Sequence, residues 1–325
     1  MSKFLITGGA GYIGCMLVRQ LLQNQKNVVV LDNLMYGGEP LLDFFNYPNF
    51  TFIHGDIRNP LDVEKALEGV THVAHLAAIV GDPACAKNPD LSKSTNIDGA
   101  KLLYETACRK GVSRFVFAST CSNYGKMKDP SRFIDENSEL APLSLYSETK
   151  VEFEKFLMSK NNQETKTIPT ILRFATVYGL SLRPRFDLTV NEFTKELALG
   201  RELVIFGEQF WRPYCHVEDL ARSVLAVFNA PDNKVAFNVF NVGDTEENYQ
   251  KIMLVDEIKK MIPDAKVKYV QKNEDPRDYR VNFSKIQEQL GFKITKKVPD
   301  GISQILQVVK FGLIRNPDHE QYRNI

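Results

Sequence analysis

The sequence predicts an α/β protein, a doubly wound parallel sheet with a smaller discontinuous C-terminal lobe. Three observations lead there. Strand-like apolar runs alternate with helix-like stretches from residue 3 to about 173, the pattern of a parallel sheet covered by helices on both faces. A glycine cluster separates the first strand from the first helix. After Gly179 the texture changes to loops, short helices and isolated strands.

The first strand is Lys3-Phe4-Leu5-Ile6-Thr7, a short apolar run of the buried kind. Gly8-Gly9-Ala10-Gly11-Tyr12-Ile13-Gly14 follows at once, and Cys15 to Gln23 reads as an amphipathic helix. Strand, glycine turn and helix N-terminus together make a pyrophosphate site. The glycines let backbone approach the anion, and the free amides of the first helical turn point at it. The glycines stand at 8, 11 and 14, a spacing that differs from the standard G-x-G-x-x-G fingerprint. The second strand, Asn27-Val28-Val29-Val30-Leu31, ends at Asp32. An acidic residue about 20 positions past the glycines is placed to accept hydrogen bonds from adenosine ribose hydroxyls. A carboxylate there repels a 2′-phosphate, so the expected cofactor is NAD rather than NADP.

A later buried strand, Arg114 to Ala118, runs into Ser119-Thr120-Cys121-Ser122-Asn123-Tyr124-Gly125. The carboxyl ends of strands line the ligand crevice in such sheets. That puts the hydroxyls of Ser119, Thr120 and Ser122 where a substrate meets the nicotinamide. Tyr146 and Lys150 follow in Tyr-Ser-Glu-Thr-Lys, one helical turn apart on one face. An ammonium near a phenol favours the phenolate, so Lys150 is expected to lower the Tyr146 pKa and suit it to acid–base work.

With these motifs in place, the chain resembles the extended short-chain dehydrogenase/reductases, and within them the nucleotide-sugar epimerase/dehydratase group. The resemblance rests on Thr7 to Gly14, on the Ser-Thr run before Tyr124-Gly125, and on Tyr146-x-x-x-Lys150. It extends to Gly55-Asp56-Ile57-Arg58, His75-Leu76-Ala77-Ala78, Thr95-Asn96-Ile97-Asp98-Gly99, Arg173 to Gly179 and Arg212 to Asp219. It implies a Rossmann fold. It also implies that NAD is held by Gly8, Gly11, Tyr12, Ile13, Gly14, Asp32, Asn33, Asp56, Ile57, Leu76, Ala77, Ala78, Asn96, Tyr146 and Lys150.

The same resemblance makes Thr120, Tyr146 and Lys150 the catalytic set. It implies that Ser122, Arg185, Asn191, Arg212 and Arg277 hold a nucleoside-diphosphate sugar, with fork-like guanidinium donors matching phosphate oxygens. The 4,6-dehydratases of the group carry Asp-Glu directly after the threonine. Cys121 and Ser122 stand there instead, which disfavours water expulsion. A small buried residue is the expected role of Cys121.

The expected activity is epimerisation through a keto-sugar, at C4. Net dehydrogenase and 4-ketoreductase share every motif. The rival of another class is a non-catalytic dinucleotide-binding regulator, which typically lacks the tyrosine or the lysine.

Organisation and composition agree. Residues 1–179 are expected to form the NAD-binding domain, with a return segment at 212–243. Residues 180–211 and 244–325 are expected to form the substrate lobe. The balance of 41 basic and 40 acidic residues gives no electrostatic case for nucleic acid or an acidic membrane. Five scattered cysteines suit a reducing cytosol and show no metal-ligand spacing. The first strand begins too early for a signal peptide, and no apolar run is long enough to span a bilayer. By resemblance a homodimer is expected through helices near 98–110 and 146–160, with Leu103, Val151, Phe153 and Leu157 as candidate contact residues.

Overall fold

A computed structural model describes residues 2–324, apart from 128, 130, 131, 163, 164 and 273–276. In chain order the first half runs β1 (Lys3–Thr7), α1 (Gly14–Gln23), β2 (Asn27–Asp32), β3 (Phe50–His54), α2 (Pro60–Ala66) and β4 (His72–His75). It continues with the short α3 (Asp82–Lys87) and α4 (Pro89–Lys93), then α5 (Ala100–Arg109), β5 (Arg114–Thr120), α6 (Leu145–Ser159) and β6 (Ile168–Phe174). The second half holds β7 (Thr176–Tyr178), α7 (Thr189–Ala198), β8 (Leu203–Phe206), β9 (Trp211–His216), α8 (Val217–Asn229) and α9 (Asp232–Val235). Beyond these lie β10 (Asn238–Val242), β11 (Asn248–Gln250), α10 (Lys251–Met261), β12 (Val267–Val270), α11 (Ser284–Leu290) and α12 (Val298–Lys310).

Seven strands form one parallel sheet in the order β10-β6-β5-β4-β1-β2-β3. Its strands are rich in valine, isoleucine and phenylalanine because both faces are covered. Alternate residues point to opposite faces. Phe4 and Ile6 of β1, Val28 and Val30 of β2, and Val116 and Ala118 of β5 pack with α1 and α8 in one core. Leu5, Val29 and Leu31, with Phe115 and Phe117, pack with α2, α5 and α6 in the other.

The second half has a core of its own, in which Tyr178, Phe193, Leu203, Ile205, Tyr214, Leu254 and Ile302 meet. Two small sheets, β11-β9-β7 and β12-β8, frame it. The stretch 244–315 holds two short strands, β11 and β12. The return to the main sheet is made by β10, which pairs with β6 from Asn238↔Thr170 to Val242↔Phe174.

One expectation needs correction. Leu103, Val151, Phe153 and Leu157 do not face outward. Each is buried within the chain, and Leu103, Phe153 and Leu157 pack under the sheet with Phe115 and Phe117. The helices α5 and α6 turn their apolar faces to the sheet, so these side chains have no area left to offer a second copy.

Candidate active site

The turn after β1 is shaped by contacts that only glycine allows. Gly8 has φ +74°, and a Cβ on it would lie 2.7 Å from the Ala77 amide nitrogen. A Cβ on Gly14 would lie 2.0 Å from the Gly8 carbonyl oxygen. Helix α1 starts with no side-chain cap, so no side chain competes with an anion at its N-terminus. Across the turn, Asp32 ends β2, and its two carboxylate oxygens accept from the Ala10 amide at 2.9 Å and the Leu34 amide at 2.8 Å. Burial raises the Asp32 pKa, against the pull of these two amides and of Arg183.

These residues open into one cleft. Its wall continues through Asn33, Asp56, Ile57, Leu76, Ala77 and Ala78 to Thr120, Ser122, Tyr146 and Lys150. The glycine turn, the uncapped helix and the carboxylate fit the diphosphate and ribose of a dinucleotide. Two residues expected there lie elsewhere. Asn96 is 3 % exposed and does not line the cleft. Its amide bonds both backbone groups of Ile79 and the Thr149 hydroxyl, so it anchors the loop after β4 to α6. Asn191 is fully buried and bonds the Gly179 backbone, the Tyr12 hydroxyl and the Arg185 carbonyl. It braces the neighbours of the cleft from behind.

The start of α6 sets the position of Tyr146. Ser144 caps the helix by accepting from the Ser147 amide, and the Ser147 hydroxyl accepts from the Ser144 amide. This reciprocal box fixes the first turn. The Ser144 hydroxyl also donates to Asp82 at 2.7 Å, which ties the helix to the start of α3. Lys150 is 3 % exposed. Its ammonium donates to the Ala118 carbonyl at 2.8 Å and lies 5.8 Å from the centroid of the Tyr146 ring. Thr120 accepts from the Ser122 amide at 3.1 Å.

The expectation that Lys150 lowers the Tyr146 pKa does not hold for this geometry. Burial pushes the phenol up, and the Cys85 and Asp82 sides of the cleft push it the same way. Burial also pulls Lys150 down to about 8, and its ammonium is spent on a carbonyl. Cys121 is fully buried, with its thiol toward the Arg173 carbonyl at 3.2 Å and its pKa raised well above the ordinary value by burial. A reactive thiolate is therefore disfavoured there.

Beneath the strand ends lies a buried polar network. Glu154 and Arg173 pair at 2.7 Å, and Glu154 also accepts from the Ser119 hydroxyl and, at 2.9 Å, from Asn123. Arg173 donates to the Tyr124 hydroxyl at 2.9 Å, which donates to Asn241 at 2.7 Å. One carboxylate thus holds β5, β6 and α6 in fixed relation under the cleft floor. Ser119, taken up in this network, is not free to meet a substrate.

Arg185, Arg212 and Arg277 line the opposite side, together with Arg183, Tyr214, Lys251 and Tyr279. Arg185 is paired with Asp187 at 2.6 Å. Arg277 reaches Asp82 across the cleft at 3.1 Å; its preceding neighbours Asp275 and Pro276 lie outside the described residues. Arg212 donates to the Trp211 carbonyl and sits over the Tyr279 ring. Sequence reasoning did not single out Tyr36, Arg183 or Asn324, which also line the cleft. No local signal marks Tyr36 or Asn324. Among the described residues no group of three or more histidine, cysteine or acidic residues forms a metal site.

The fold, the uncapped glycine turn and a Tyr-x-x-x-Lys helix on the cleft wall define a dinucleotide-dependent oxidoreductase of the short-chain type. The NAD dependent epimerase/dehydratase family profile matches residues 4–243, and the chain belongs to that family. NAD is its cofactor. It is 34% identical over 255 residues to an uncharacterized UDP-glucose epimerase, YtcB, of Bacillus subtilis strain 168, covering 75% of this chain and 77% of the other. Its structure is similar to that of the UDP-glucose 4-epimerase of Thermotoga maritima with UDP-glucose, at TM-score 0.84 and 28% identity, covering 96% and 99% of the two chains. It is also similar to the UDP-glucuronic acid 4-epimerase of Bacillus cereus in complex with UDP-glucuronic acid and NAD, at TM-score 0.85 and 26% identity, covering 95% and 99%.

Proposed function

We propose that the protein is an NAD-dependent epimerase of a nucleoside-diphosphate sugar, working at C4 through a keto-sugar. The observation that carries this is the single cleft in which Thr120, Tyr146 and Lys150 lie between the glycine turn and the arginines of the second lobe. That order matches a ligand whose sugar sits at the wall of α6 and whose diphosphate lies against Arg185, Arg212 and Arg277.

When bound, NAD supplies a hydride acceptor that also returns the hydride. Tyr146 would take the proton of the C4 hydroxyl during oxidation and return it to the same oxygen during reduction. Thr120 hydrogen-bonds that oxygen. Lys150 is held by the Ala118 carbonyl and keeps a positive charge beside the phenol. The phenol starts from a raised pKa, so proton transfer depends on charge brought into the cleft with the cofactor.

The free cysteines among the described residues support a cytoplasmic enzyme, and no described helix is long and apolar enough to cross a membrane. A homodimer through the outward faces of α5 and α6 is part of the same reading, by analogy with the family. Light scattering that gives the monomer mass at micromolar concentration would remove it.

The test of function is a panel of nucleoside-diphosphate sugars followed both by product NMR and by NADH absorbance. Epimerisation gives a new sugar with no net NADH. Net NADH formation would replace the epimerase with a dehydrogenase, and product formed only from a keto-sugar plus NADH would replace it with a 4-ketoreductase. No turnover of any sugar by an NAD-binding chain would leave the regulator.

A further inference from the structure

Arg183 stands on the loop between β7 and α7, and it is 5 % exposed. Its guanidinium stacks over Tyr36, 4.1 Å from the ring centroid, and donates to the Arg323 carbonyl at 3.2 Å. Its Nε is buried with no hydrogen-bond partner. The neighbouring arginines differ: Arg185 has Asp187 and Arg277 has Asp82. Among the described residues no carboxylate forms a salt bridge with Arg183. Burial, with Arg185 adding to it, pulls the Arg183 pKa down to about 10. A buried charge without a counter-charge is costly.

Asp187 acts on Arg183 only at a distance, and the buried Nε without a hydrogen-bond partner is a donor an anion in the cleft could satisfy. Asp32 is close enough to feel its field, but both Asp32 oxygens are committed to the Ala10 and Leu34 amides. The fork of a guanidinium suits phosphate oxygens. Two ligands of the cleft carry a diphosphate, the dinucleotide and the sugar nucleotide. Position favours the first, since Tyr36 follows Asp32 and Asn33 on the loop after β2, on the side of the glycine turn.

The seat of Arg183 is unusual in its origin. The Phe186 amide donates to the Tyr322 carbonyl at 2.9 Å, and the two rings meet edge-on. The Asn324 amide donates to Asp187 at 3.1 Å, and Asn324 itself lines the cleft. Further back, Asp318 is fixed by Lys195 at 2.7 Å and Arg201 at 2.6 Å. We infer that Arg183 binds the diphosphate of NAD from the second lobe, and that residues 318–324 hold it in place to do so.

Calorimetric titration of the cofactor-free chain tests this. Arg183→Gln should weaken NAD and ADP-ribose by roughly 10- to 100-fold, the scale of one charge-assisted bond. Uridine diphosphate, the probe for the sugar-nucleotide site, should bind within about threefold of normal. Arg183→Lys, which keeps the charge, should fall between. Deleting residues 320–325 should weaken NAD in the same direction; if that chain does not fold, Arg183→Gln with an unchanged melting temperature decides.

Loss of uridine diphosphate binding with NAD binding intact overturns the inference, and so does unchanged binding of both. A wild-type chain that binds no NAD overturns the cofactor itself, a separate failure.

Discussion

The two sides of the cleft are built differently. The cofactor side is made of backbone and short-range motifs at the ends of the adjoining parallel strands β1 and β2, with Gly8 in the turn, Gly14 at the start of α1 and Asp32 at the end of β2. The other side is made of long cationic side chains from the 183–187 loop, β9 and the segment around residue 279. Several of these are already paired with carboxylates such as Asp187 and Asp82. The first side is rigid before any ligand arrives. On the proposed reading the second exchanges these protein partners for phosphate, so its affinity is a difference between two sets of charge-assisted bonds. On the same reading, specificity for the sugar nucleotide belongs to Arg185, Arg212 and Arg277 on the side that rearranges, while Arg183 on the same side serves the cofactor.

The sharpest way to break this contrast is at the floor of the rigid side. Glu154→Gln should destabilise the chain by about 3–5 kcal/mol, because it leaves Arg173 buried and charged without its partner. Urea unfolding of the cofactor-free protein checks it, and a loss under about 1 kcal/mol would mean the floor is not held by this pair. Next in size, Tyr146→Phe should lower turnover by roughly 10² or more with NAD affinity nearly unchanged. Near-normal turnover takes Tyr146 out of the acid–base role.

On the adaptable side, Arg212→Ala should raise the substrate dissociation constant by one to two decades, or roughly 1.5–3 kcal/mol. NAD affinity should stay put. An equal fall in both would show that Arg212 joins the lobes rather than serving one ligand. Asp32→Ala should weaken NAD by about tenfold, the scale of one or two lost hydrogen bonds, and relax the preference over NADP. Tighter NADP binding by the wild type contradicts the reading of Asp32.

The smallest effect is one of pH. Burial pushes His75 down to about 3 from 6.5, so the unfolded chain takes the proton first. The stability it confers is whole above about pH 6.5 and is lost as pH falls toward 3, at up to about 1.4 kcal/mol per pH unit. Between pH 7 and 6 that is about 0.7 kcal/mol. Chemical denaturation at pH 7, 6 and 5, with His75→Asn as control, measures it, and parallel curves for the two proteins would remove His75 as the cause.

The rigid side was the legible one. Glycines, a strand-end acid and a Tyr-x-x-x-Lys turn are local features, and a local motif keeps its meaning wherever the rest of the chain goes. Asn96 and Asn191 show the limit, because a motif gives position along the chain but not the direction of an amide. The helical period of α5 and α6 marks Leu103, Val151, Phe153 and Leu157 as an apolar face without saying whether sheet or partner covers it. Pair spacing speaks for a Coulomb effect of Lys150 on Tyr146 but carries nothing of the desolvation that raises its pKa. Tyr36 and Asn324 reach the cleft through tertiary folding alone.

The pairing of β10 with β6 has a consequence for synthesis. Thr170 finds its neighbour in Asn238, 68 positions later, after the excursion through α7, β8, β9 and α8. At about 5–20 residues per second, the β6 edge waits roughly 3–14 s on the ribosome with its ladder open. An exposed apolar strand edge is a template for aggregation. Chain expressed only to Gly179 should therefore collect in the insoluble fraction, while chain carried past Val242 can close its own sheet.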